Sequence, residues 1–147
     1  MKISTNTQTL KPTDITRRWH FVDLSGQTLG RISSQIAILL MGKGKVITGD
    51  HLDNGDYVVA INSDKIVVTG KKLTDKKYYS HSGFPGGLKE ISLEMLMAKD
   101  SRKVMERAIK GMLPKDKHQQ DRLRRLKLFS DAKHPYANEL GLNKKSE

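Results

Sequence analysis

The chain has 147 residues, none of them cysteine, and is 36% hydrophobic and 5% aromatic, with 27 Lys and Arg against 16 Asp and Glu for a formal charge of +11. Without cysteine there is no disulfide framework and no cysteine-ligated zinc, and the longest apolar run, Ile36 to Met41, is far short of the ~20 residues of a membrane span. So large an excess of cations points to a polyanionic partner, and the absence of an apolar stretch in residues 1–16 leads us to expect a soluble cytoplasmic protein.

Residues 1–16 are polar and aperiodic and read as an N-terminal arm. Trp19-His20-Phe21-Val22-Asp23 alternates as a strand does, with Trp19 and Phe21 on one face. After the turn Ser25-Gly26-Gln27, the residues Leu29, Ile32, Ile36, Leu39 and Leu40 recur at helical spacing, with Thr28 as N-cap and Gly42 as a left-handed C-cap. Tyr57-Val58-Val59-Ala60-Ile61 is a nearly continuous apolar run, which suits a strand buried on both faces of a parallel sheet. Ile66-Val67-Val68-Thr69 is a further β-branched run. Residues 65–89 hold six Lys and one acid, Asp75, and their Gly- and Ser-rich stretch reads as a long exposed loop.

Ser92 caps a short helix through Leu93, Leu96 and Met97. A second helix follows Asp100, with Val104, Met105, Ala108, Ile109 and Met112 as its apolar stripe. Lys103, Arg107 and Lys110 share the opposite side, in isolation a solvated face. Gly111 and Pro114 end this helix. Arg122-Leu123-Arg124-Arg125-Leu126-Lys127 reads as a basic helix, and a polar tail marked only by His134-Pro135-Tyr136 follows. No repeat or linker interrupts the chain, so one domain is expected, with an arm over 1–16, a core over 17–130 and a tail over 131–147.

A search for catalytic chemistry finds little. His20, His51, His81, His118 and His134 are scattered without metal-ligand spacing, and neither a metal nor a cofactor is expected. Asp50, Asp53 and Asp56 lack the bidentate Glu and fixed glycine of a calcium loop and read as a solvated loop. Gly42-Lys43-Gly44-Lys45 follows a helix end, whereas a Walker loop precedes a helix, so phosphotransfer is disfavoured and no enzyme is expected. The cations suit RNA better: each phosphate contact releases counterions, and Tyr78, Tyr79 and His81 offer rings for unpaired bases. One of the two tyrosines is as readily packed beneath its own loop. No helix-turn-helix, zinc finger or RNA-recognition signature is present.

The ordered motifs Trp19-His20-Phe21-Val22-Asp23, Leu29-Gly30-Arg31, Gly42-Lys43-Gly44-Lys45, Gly55-Asp56-Tyr57-Val58-Val59, Thr69-Gly70-Lys71-Lys72 and Lys77-Tyr78-Tyr79 resemble the large-subunit ribosomal protein thirteen family. Most specific are His81-Ser82-Gly83-Phe84-Pro85-Gly86-Gly87 and Ala108-Ile109-Lys110-Gly111-Met112-Leu113-Pro114. The resemblance implies an α/β fold, a mostly parallel central β-sheet flanked by helices in three α/β/α layers, with long basic loops and polar terminal arms. It implies a non-catalytic constituent of the large (50S) subunit that binds large-subunit (23S) rRNA early in assembly, beside ribosomal proteins three, twenty and twenty-one. Autoregulatory binding to messenger RNA is an alternative use of the same surface. By position, the resemblance places rRNA contacts at Lys43, Lys45, Lys71, Lys72, Lys76, Lys77, Tyr79, His81, Ser82, Lys110, Lys115, Arg122, Arg125, Lys127 and His134. Two positions depart from its pattern: Gly44, where the family commonly has His or Arg, and Tyr136, where it commonly has a second His.

Overall fold

The computed structural model describes residues 11–46 and 51–141; Asp50 and most of the expected N-terminal arm lie outside them. Three parallel strands, β1 (Trp19–Asp23), β2 (Tyr57–Ile61) and β5 (Leu126–Leu128), form a sheet in the order β1-β2-β5. Phe21 and Lys127 stand on either side of Val59. This register puts Val22, Val58, Ala60, Leu126 and Leu128 on one face, because side chains alternate along a strand. That face carries the main core.

The helix α1 (Leu29–Met41) lays Leu29, Ile32, Ile36 and Leu40 into the core. Thr28 occupies the N-cap position, although its side chain makes no capping bond. Gly42 ends α1 as expected, with φ 73°. Its N–H reaches the Leu39 carbonyl and the Lys43 N–H reaches that of Ile38, which is a Schellman closure. The end of α1 then packs backbone to backbone on residues 54–56. A Cβ at Gly55 would lie 1.7 Å from the Leu40 carbonyl oxygen. Gly55→Ala is therefore expected to destabilise the fold by roughly 3 kcal/mol, since backbone must move to admit one methyl. Urea unfolding checks this; a variant within about 1 kcal/mol of the wild type would show that the two segments separate freely.

The helix α3 (Leu93–Met112) contains both helices expected from the sequence, joined across a kink at Asp100. Ser92 accepts the Met95 N–H at 3.3 Å. Asp100 has extended backbone angles, and its carboxylate accepts the Arg102 N–H at 3.2 Å, so it caps the restarted helix. Val104, Met105 and Ile109 are fully buried against α1.

Three expectations are corrected. Residues 66–69 form no sheet strand; one parallel bridge joins Val67 to Thr28 beside α1, and Ile66 enters the core. The stretch expected as a loop holds a short helix, α2 (Lys72–Asp75), and an antiparallel hairpin of β3 (Lys77–His81) and β4 (Leu88–Ser92). The basic helix is α4 (Gln119–Arg124) and stops short of Leu126, because Leu126 and Leu128 pair with β2 and face the core.

Helices cover one face of the sheet, and the tail covers the other. There Trp19 stacks on Tyr57 at 4.4 Å and on Tyr136 at 5.3 Å, while His134 lies 5.7 Å from Phe21 and 6.1 Å from Phe129. The parallel α/β core matches the expectation, with the second flanking layer built by aromatic residues of the tail.

Candidate nucleic-acid interface

The expected contact residues divide into a displayed set and an internal set. Displayed are Lys43 after α1, Lys71 and Lys72 around the start of α2, Lys76 and Lys77 before the hairpin, Lys110 on α3 and Lys115 beyond it. Lys77 is 3.2 Å from Glu90 across the hairpin, a solvated pair of little energetic weight. No carboxylate pairs with Lys71, Lys72, Lys76, Lys110 or Lys115 among the described residues.

The hairpin resolves the tyrosine alternative. Tyr78 and Ile91 face the core, so Tyr78 is the ring packed beneath its own segment, with Lys76 and Arg107 over it at 5.3 Å and 4.9 Å. Tyr79 points the other way and is 61% exposed. At the hairpin end, His81 Nδ1 accepts the Gly83 N–H at 2.9 Å, which puts the neutral ring's proton on Nε2. The Ser82 N–H donates to the Gly87 carbonyl at 3.2 Å. Phe84 projects from this turn at 74% exposure.

The internal set lies within the fold. Arg122 and Arg125 are each 6% exposed. Both point at Asp53: Arg125 grips its two carboxylate oxygens, Arg122 Nε lies 3.5 Å away, and Arg122 also reaches Asp116 at 3.0 Å. Arg125 further donates to the Leu40 carbonyl at 3.3 Å, at the negative end of α1. Lys45 is half-buried, donating to the carbonyls of Thr16 at 2.6 Å and Asn54 at 2.8 Å and pairing with Asp56 at 2.6 Å. His20 Nε2 lies 2.8 Å from the same carboxylate. Lys127 is half-buried on β5, and His134 sits among the tail aromatics. Asp53 and Asp56, two of the acids read as a solvated loop, are thus internal anchors. Burial alone would raise the pKa of Asp53, but the hydrogen bond and charge of Arg125, aided by Gly55 N–H and Arg122, hold it below the ordinary carboxylate value. The same balance holds for Asp56, where burial is outweighed by Lys45, the Arg18 N–H and His20.

Sequence reasoning left Arg107 as part of a solvated face; the structure places it over Tyr78, facing the displayed lysines across a groove. Lysines 71 and 72 and Arg107 are more than 30 residues apart, so only the packing of α2 on α3 unites them.

A parallel α/β core that holds some of its acids against internal arginines and leaves lysines on its periphery defines a small basic scaffold with a cationic surface. Comparison with known families sharpens this: residues 17–135 match the family model of ribosomal protein L13, and the chain belongs to that family. It is 52% identical over 130 residues, 88% of this chain and 92% of the relative, to large ribosomal subunit protein uL13 of Pseudomonas putida, and equally to that of Ectopseudomonas mendocina. Identity to the Psychrobacter protein of the same name is 50% over 131 residues, 89% of this chain and 92% of the relative.

Proposed function

We propose that the chain is a structural, non-catalytic constituent of the large ribosomal subunit that binds 23S rRNA early in subunit assembly, in the cytoplasm. The observation that carries this reading is the run of displayed cations from Lys71 to Lys77, continued by Lys110 and Lys115, which among the described residues have no carboxylate partner, Lys77 excepted, in a chain that belongs to a ribosomal protein family. Phosphates packed together in folded RNA repel one another, and lysines placed between them neutralise that repulsion while releasing counterions. Tyr79 and the hairpin end add exposed aromatic surface on which unpaired bases can stack. Ribosomal proteins three, twenty and twenty-one are the protein neighbours the family likeness suggests.

Sedimentation of a tagged copy through sucrose gradients tests the reading. The protein is expected to travel with the large subunit at moderate and high salt. A protein that stays at the top of the gradient, or leaves as salt rises, would be a peripheral or free RNA binder instead.

A further inference from the structure

A groove of about 740 Å³ runs between the first turn of α1, residues 67–76 and the C-terminal half of α3. Lys71, Lys72, Lys76 and Arg107 line it, against one acid, Asp75. Two of these cations share one ring: Lys76 Nζ and the Arg107 guanidinium lie 5.3 Å and 4.9 Å from the centroid of Tyr78. The ring attracts each cation, yet the two repel one another, and an anion seated in the groove would relieve that repulsion. Gly30, the second residue of α1, and Gly111, the last but one of α3, line the same groove. Glycine weakens a helix relative to alanine. Neither glycine has a positive φ, and a Cβ built on either meets nothing within 4 Å. Among the described residues nothing requires glycine at these two positions, and the missing side chains leave both helix backbones open to the groove.

We propose that this groove receives the sugar-phosphate backbone of an RNA strand. Lys71, Lys72, Lys76 and Arg107 meet its phosphates, and Gly30 and Gly111 let the strand come within contact of the helix backbones. Tyr78 is a positioning residue whose one ring holds both Lys76 and Arg107. The proposal rests on the rRNA-binding reading and adds to it Arg107, the two glycines and the part of the RNA that is held.

The test measures binding of the full chain to a large-subunit rRNA transcript over a salt series. Gly30→Ala and Gly111→Ala remove no charge; each is expected to weaken binding roughly tenfold at every salt concentration, with the wild-type salt slope and an equal or higher melting temperature. Arg107→Gln is expected to reduce the slope by about 0.7–0.9, one phosphate contact. Tyr78→Leu weakens binding and Tyr78→Phe restores it. Alanine variants that bind as the wild type does, together with an unchanged slope for Arg107→Gln, would overturn the groove assignment. So would variants that bind the transcript normally but fail to enter large subunits, since the occupant would then be a protein. A wild-type chain that does not bind the transcript would instead overturn the rRNA reading itself.

Discussion

Asp53→Ala is expected to lower the unfolding free energy by roughly 3–5 kcal/mol, the loss seen when one partner of a buried ion pair is removed. Asp53 serves two guanidiniums at once, and both are nearly inaccessible to water. Without it, among the described residues, Arg122 keeps only Asp116, and Arg125 only the Leu40 carbonyl. Asp53→Asn keeps the shape and loses the charge, so it is expected to fall in the same range; a loss below about 1 kcal/mol in either variant would mean that water reaches both arginines. The same carboxylate imposes a pH dependence. Its folded pKa is depressed, so the unfolded chain takes up the proton first as pH falls. The stabilisation is complete above the unfolded value of about 3.9 and is lost as pH drops through the lower folded value. Urea unfolding followed from pH 6 to pH 2 should show this acid loss in the wild type and a shallower one in Asp53→Asn.

Replacing Lys71, Lys72, Lys76 and Lys77 together by Ala is expected to reduce the slope of log K against log salt for rRNA binding by about 3, at roughly 0.7–0.9 per phosphate contact. At physiological salt this corresponds to a loss of about two orders of magnitude in affinity. All four side chains are exposed, so the melting temperature should stay within a few degrees of the wild type. An unchanged slope would remove this segment from the interface, and a collapse of the melting temperature would show that the lysines are structural. This outcome contrasts with that for Asp53: one substitution acts on the fold, the other on the partner.

The sequence made the parallel core legible because its signals are local. Alternation marked β1, an apolar run marked β2, a 3.6-residue stripe with Gly42 marked α1, and Ser92 and Asp100 marked both starts of α3. Elements whose burial depends on distant partners were not legible. The hairpin of β3 and β4 is largely solvated, so its residues carry no clean alternation and its Gly-rich end dominates the reading. β5 is three residues long and becomes a strand only by pairing with β2. Charge was the least legible property. Arg122 and Arg125 look like Lys71 and Lys72 when cations are counted along a chain, yet one pair is sealed against Asp53 and the other faces solvent. Asp53 lies far from either arginine in sequence, so no local pattern marks the pairing. The one local hint is the spacing of Arg122 and Arg125, three apart at the end of a helix, which allows both to reach one carboxylate.

The placement of β5 also bears on how the chain is made. β2 is the middle strand, and residues 62–125 separate it from the strand that covers its second edge. During synthesis β1, α1 and β2 emerge as a unit whose outer edge is unpaired, and the face bearing Val59 and Ile61 stays bare until the aromatic tail follows. Contacts between segments so far apart form slowly, and an open strand edge is a template for pairing with another chain. The unfinished chain is thus the form most prone to aggregate, and anything that shields it must act before Leu126 is added.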